Sequence, residues 1–137
     1  MTMTLAKTDI APPPRSVALL LWSCEPEAPH RLATPFFHAS AAAALDIPVE
    51  IYFTARSVLL LKPGVAAQLY ASEAGDKSIY DYMQEAAGLG ARFLACSDAL
   101  AAHGLLDQPL IPECKGRGGA VQFMARACDP NWTALVF

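Results

Sequence analysis

Cys96 is the residue of this sequence with the clearest potential for chemistry. It follows a short apolar run and precedes a helical pattern of small residues that Gly104 ends. The pattern predicts a strand over residues 92–96 and a helix over residues 97–103. A cysteine at this junction faces the backbone N–H groups and the positive end of the helix dipole, which stabilise a thiolate. The alternative is a packing role, since free cysteine is often buried in tight places.

Two further cysteines are predicted on the same side of the sheet and are candidates for accessory thiols. Cys24 follows the first predicted strand, and Cys114 is predicted in a glycine-rich loop with two basic neighbours. Basic neighbours favour a thiolate and attract anionic substrates. The glycines of the run GRGG can present backbone N–H groups as an anion-binding nest, although the lysine ending of a P-loop is missing. The predicted ligand-binding residues are Ser97, Lys115, Arg117 and Gly118.

A metal site receives little support from the sequence. Cysteine and histidine are good ligands for zinc or copper. The candidates are Cys24, His30, His38, Cys96 and Cys114. None of them forms a closely spaced ligand pair, and the sequence contains no CxxC. The two histidines are predicted on one face of a single helix. We predict neither a metal nor another cofactor.

The apolar runs predict strands that alternate with helices. The predicted strands cover residues 17–22, 49–54, 92–96 and 132–137, with a weaker strand or a loop near Leu110. The predicted helices cover residues 30–45, 78–87, 97–103 and 119–127, with a short helix after residue 54. Ser78 and Ser97 are the predicted N-caps of the second and third of these helices. This alternation predicts an α/β fold with a mostly parallel sheet. Ligands of such sheets bind beyond the carboxyl ends of the strands, where Cys96 is predicted to lie.

The bulk composition argues against several classes of protein. The 137 residues suit one domain, predicted over residues 16–137 after a flexible tail over residues 1–15. The net charge of −3, without a basic run, argues against nucleic-acid binding. No apolar run reaches the roughly 18 residues of a membrane span, and no signal-peptide pattern precedes the domain, so we predict a cytoplasmic protein. Only 17% of the residues are charged and 54% are hydrophobic, which favours a homo-oligomer.

The sequence resembles the DsrE/DsrF-like family of sulfur-relay proteins. The stretches that carry the resemblance are IYFTARSVLLLKPG, YDYMQEAAGLGARFLACSDALAAHGL and GAVQFMARACDPNWTALVF. They cover most of the chain from Ser16 onward. The resemblance implies a flavodoxin-like three-layer sandwich, with a mostly parallel sheet of about five strands. It also implies assembly as a homotrimer or homohexamer.

In active members of this family, a cysteine that matches Cys96 carries sulfur as a persulfide. The resemblance therefore implies a sulfur carrier or sulfurtransferase that passes sulfur to a partner, such as a TusA-like carrier or a rhodanese. Thiolate attack on the outer sulfur of a donor, followed by thiol exchange, provides the chemistry. Two alternatives stay open. One is a non-catalytic oligomeric module that binds a small anionic or nucleotide-like ligand at the strand ends, near Cys96 and the run GRGG. The other is a redox sensor that pairs Cys96 with Cys24 or Cys114.

Overall fold

A computed structural model describes residues 15–137 as a layered α/β sandwich. The tail predicted over residues 1–15 lies outside the described residues, apart from Arg15. The strands are β1 (Ser16–Leu21), β2 (Val49–Phe53), β3 (Arg92–Ala95), β4 (Cys114–Arg117) and β5 (Trp132–Val136). The α-helices are α1 (Ala33–Ala44), α2 (Ile79–Gly88), α3 (Ser97–Ala102) and α4 (Ala120–Ala127). Short 3₁₀ segments cover Pro29–Arg31, Ala55–Leu61 and Ala66–Gln68.

The described strands form one parallel sheet in the order β4-β3-β2-β1-β5. The chain moves in one direction from β1 to β4 and then returns past β1 to reach β5. Right-handed crossovers place connections made in opposite directions on opposite faces of a sheet. Accordingly, α1, α2 and α3 contribute to one core, and α4 contributes to the other. The predicted α/β sandwich with about five strands is therefore confirmed.

Alternate residues of the central strands supply the two cores. On the first face, Ile51, Phe53 and Phe93 join side chains from α1, α2 and α3. On the second face, Ala18, Tyr52, Leu94 and Phe123 form a smaller core under α4. All five residues of β2 are buried, which explains why the sequence of this strand does not alternate between apolar and polar residues. Among the described residues, the eight-residue helix α4 is the only α-helix that contributes to the second core.

The ends of the main helices follow local sequence signals. Ser78 caps α2 as predicted, because its side chain accepts a hydrogen bond from the N–H of Asp81 at 3.2 Å. The Asp81 carboxylate accepts one in return from the N–H of Ser78 at 2.9 Å, which completes a capping box. Gly104 follows α3 with a φ of +70°, the left-handed conformation that favours glycine. Within residues 15–137, no helix is long and apolar enough to cross a membrane.

Two local predictions differ from the structure. The segment around Cys114 was predicted to be a loop, but it forms the edge strand β4, paired with β3. Gly116 obscures the strand signal, and it allows close packing of the two strands because a Cβ at this position would lie 3.0 Å from Cδ2 of Leu94. His30 lies in the 3₁₀ segment and His38 lies in α1. The two histidines therefore do not share one helix.

Candidate functional site

Cys96 lies at the carboxyl end of β3, as the sequence predicts. Its backbone N–H donates a hydrogen bond to the carbonyl of Phe53 at the end of β2, at 2.9 Å. Its extended backbone makes it the N-cap residue of α3. Ser97 was predicted to be this cap, but it is the first residue of the helix instead. The Cys96 side chain is partly buried and borders two cavities of different character.

The first cavity is an open groove that brings together three of the predicted ligand-binding residues. Ser97, Arg117 and Gly118 line it with Cys96, and its volume is about 680 Å³. The Arg117 guanidinium donates a hydrogen bond to Oγ of Ser97 at 3.1 Å. The N–H of Gly118 donates to the carbonyl of Ala95 at 3.0 Å, so the end of β4 runs directly beside the cysteine. Asp98 adds a carboxylate to the same groove.

The second cavity is smaller and apolar, and the sequence analysis did not identify it. Its volume is about 250 Å³, and it lies between the sheet and the first turn of α4. Its side-chain walls are Leu20, Tyr52, Thr54, Phe123 and Met124, with Cys96 at one edge. The edge-to-face contact of the Tyr52 and Phe123 rings, with centroids 5.4 Å apart, forms its floor.

A buried ionic network lies behind the apolar cavity. The Glu50 carboxylate accepts a hydrogen bond from the Tyr52 hydroxyl at 2.7 Å and two from Arg126, at 2.9 and 3.2 Å. Burial alone would raise the pKa of Glu50, but these hydrogen bonds and the charges of Arg126 and Arg92 hold that pKa below its usual range. Burial and the Glu50 carboxylate raise the pKa of Tyr52 to about 12, so its hydroxyl stays a donor. The network fixes one wall of the cavity.

The other thiols have different surroundings. Cys24 is 2% exposed, and burial raises the pKa of its thiol to about 11, which Arg31 opposes only in part. Burial also raises the pKa of Cys114, against the opposing effects of a contact with Gly116 and the charge of Arg117. Both thiols are therefore protonated at neutral pH. Cys128 is exposed at the end of α4.

The strand register separates Cys114 from Cys96. Cys114 pairs with Phe93 at the start of β3, three residues before Cys96. At roughly 3.3 Å per residue this is a separation of about 10 Å along the sheet, beyond the reach of a disulfide without backbone movement. Lys115 also lies away from Cys96, beside a cavity of about 540 Å³ that Arg92 and Glu113 help to line. Among residues 15–137, no three potential metal ligands are grouped.

Comparison with known proteins identifies relatives of this fold. The model of the DsrE/DsrF-like family matches residues 17–129. The crystal structure of YchN from E. coli is similar with a TM-score of 0.67 and 14% identity, over 90% of this chain and 99% of that chain. MTH1491 from Methanobacterium thermoautotrophicum, a protein of unknown function, is similar with a TM-score of 0.61 and 20% identity over the same shares. No curated protein matches the chain significantly. At these identities the two structures show the shared fold alone.

Proposed function

The chain belongs to the DsrE/DsrF-like family, and on this premise we propose that it is a sulfur carrier that holds sulfane sulfur as a persulfide on Cys96. The observation that carries the proposal is the position of this thiol. Cys96 is partly exposed at the carboxyl end of β3, between an open groove and an apolar cavity. The carboxyl ends of parallel strands are where α/β sheets bind their ligands.

The proposed chemistry is thiol exchange. The Cys96 thiolate attacks the outer sulfur of a donor persulfide, the donor S–S bond breaks, and the donor leaves as a thiolate with the electron pair. No net oxidation occurs, since the Cys96 S–S bond replaces that of the donor. The thiolate of a partner protein, of the TusA-like or rhodanese class, then attacks the outer sulfur of the Cys96 persulfide. The open groove beside Ser97 and Arg117 gives that partner room to approach. We propose that this exchange takes place in the cytoplasm.

Intact-protein mass spectrometry after incubation with a persulfide donor tests this function. We expect one added sulfur atom on the wild type, located at Cys96 by peptide mapping. The addition should disappear in Cys96→Ala and persist in Cys128→Ala, which removes an exposed thiol outside the site. Equal loading of Cys96→Ala and the wild type would overturn the proposal.

A non-catalytic module that binds a small ligand is the second candidate. The apolar cavity favours it, because such a cavity can hold a ligand without any reaction at Cys96. Specific binding of a small ligand by a protein that never acquires sulfur would support this reading. A redox pair of Cys96 and Cys114 is disfavoured by their separation in the strand register.

We also propose that the protein is a homo-oligomer, either a trimer or a hexamer. The support is a group of exposed apolar side chains at the β5 edge of the sheet. Trp22 is 61% exposed, and Val136 is 58% exposed. The N–H of Trp22 donates to the carbonyl of Phe137 at 3.0 Å, so the backbone of Trp22 lies beside the end of β5. Exposed aromatic residues of this kind are common at the centres of protein interfaces.

A further inference from the structure

We propose that the apolar cavity beside Cys96 binds the uncharged organic group of a low-molecular-weight persulfide, R–S–SH, in which R is apolar. This inference rests on the proposed function and adds the chemical class of the sulfur donor. It distinguishes an organic donor from anionic donors such as thiosulfate or inorganic polysulfide.

The lining excludes a charged occupant. The side-chain walls are aliphatic and aromatic, and Thr54 supplies the one hydroxyl that borders the cavity besides Tyr52. The Tyr52 hydroxyl is already engaged, since it donates to Glu50 at 2.7 Å. An anion placed here would lose its hydration with no charged side chain in the lining and only the backbone of Gly118, Gly119 and Ala120 beside it, which is unfavourable. The charged side chains near Cys96, Asp98 and Arg117, line the open groove instead.

The volume limits the size of the group R. The cavity measures about 250 Å³. A water molecule occupies about 30 Å³ in the liquid, so the cavity holds about eight non-hydrogen atoms. A benzyl group or a branched alkyl chain has this size. A nucleotide or a peptide is larger than this volume.

The position of the thiol fits transfer from such a donor. Cys96 lies at the edge shared by the cavity and the open groove. With R in the cavity, the two donor sulfurs lie at the cysteine. The Cys96 thiolate attacks the outer sulfur, the S–S bond of the donor breaks, and R–S⁻ leaves with the electron pair. The new persulfide can then turn toward the groove, where a partner protein approaches.

Alkylation of Cys96 by matched reagents tests the cavity without any sulfur chemistry. The reagents are iodoacetamide and N-benzyliodoacetamide, and peptide mass spectrometry gives the rate at each cysteine. Cys128 is exposed and lines neither cavity, so it reports the intrinsic reactivity ratio of the two reagents within the same molecule. We expect the benzyl reagent to be favoured at Cys96 by at least about tenfold relative to Cys128, since burial of an aromatic ring is favourable to this extent or more. Equal ratios at the two cysteines would overturn the inference.

Ala120→Leu provides a variant in which the cavity is filled. Ala120 lines the cavity from the first turn of α4 and is exposed, so the larger side chain is compatible with folding. We expect the benzyl preference at Cys96 to fall to within about twofold of that at Cys128, because the aromatic ring loses its burial site. Ala127→Leu is the matched control, since Ala127 is exposed on the same helix and lines neither cavity. A preference that survives in Ala120→Leu would overturn the assignment to this cavity.

The two proposals fail in different ways. If the protein acquires sulfur from inorganic polysulfide but shows no preference for the benzyl reagent at Cys96, the inference of an organic donor is overturned and the carrier function stands. If the protein shows the benzyl preference but never acquires sulfur, the apolar binding site stands. The carrier function and the role of R–S–SH as donor are then both overturned.

Discussion

The carboxylate of Glu50 and the guanidinium of Arg126 form a two-point contact across the second face of the sheet. Nε and one terminal nitrogen of Arg126 donate to the two carboxylate oxygens at 2.9 and 3.2 Å. Glu50 is 4% exposed, and the Arg126 guanidinium also stacks over the Trp132 ring at 4.2 Å. This contact fastens α4 to β2 and β5. Since α4 covers the apolar cavity, the contact helps to hold this wall of the cavity in position, although neither Glu50 nor Arg126 lines the cavity.

Replacement of Arg126 by methionine should destabilise the protein strongly. The variant leaves the Glu50 carboxylate buried with only Tyr52 and the more distant Arg92 as partners. Removing one partner of a buried ion pair costs about 3–5 kcal/mol, and we expect the lower value here because Arg126 is partly exposed. Urea unfolding followed by circular dichroism measures the loss. Lys62→Met, at an exposed position, should change stability by less than about 0.5 kcal/mol, and equal losses in both variants would contradict the prediction.

The same carboxylate predicts a dependence of stability on acid pH. The pKa of Glu50 is lower in the folded protein than its ordinary value, because the hydrogen bonds and charges outweigh burial. Such a group stabilises the fold above its unfolded pKa of about 4.3, and this stabilisation is lost as the pH falls through the folded pKa. We therefore expect the wild type to be more stable than Glu50→Gln near neutral pH and the difference to shrink below about pH 4. Urea titrations at several pH values would refute this if the difference stayed constant.

Much of the first face of the fold could be predicted from the sequence. The buried runs in β1, β2 and β3 are apolar except for Glu50 in β2, and such runs are typical of parallel strands. The Ser78 cap and the left-handed Gly104 are local signals that tertiary packing did not override. The position of Cys96 at a strand end followed from the same reasoning. Short-range patterns were sufficient in these places because the sheet is buried on both faces.

The second face could be predicted only in part, because it depends on residues distant in sequence. β4 has the sequence CKGR, and its strand conformation comes from pairing with β3 and close contact of Gly116 with Leu94. The apolar cavity joins side chains from β1, β2 and α4, and no spacing in the chain indicates their contact. The partner of Glu50 is 76 residues away in sequence. Contacts between residues so far apart in the chain cannot be predicted from the residue spacing of a single sequence.

Gly118 should be intolerant of a side chain, in contrast to its neighbour. A Cβ at this position would lie 2.9 Å from Cε2 of Tyr52 and 3.1 Å from Cβ of Leu94. We expect Gly118→Ala to lower the free energy of unfolding by about 1–3 kcal/mol, the usual cost of overpacking. Gly119→Ser is the control, because a Cβ there meets nothing within 4 Å and serine is a favourable N-cap for α4. Thermal or urea unfolding measures both, and similar losses in the two variants would contradict the packing argument.

Trp22 should be required for the proposed self-association at the β5 edge of the sheet. Trp22 is 61% exposed and its backbone lies beside the end of β5, so Trp22→Ser removes apolar contact area without disturbing the core. Truncation of a central interface tryptophan commonly costs 2 kcal/mol or more, so we expect self-association to weaken by at least about tenfold. Leu45→Ser is the matched control, since Leu45 is 73% exposed at the C-terminal end of α1 and is not part of β5. Sedimentation velocity over a range of concentrations measures the association. A monomeric wild type, or equal weakening in both variants, would exclude an interface at Trp22.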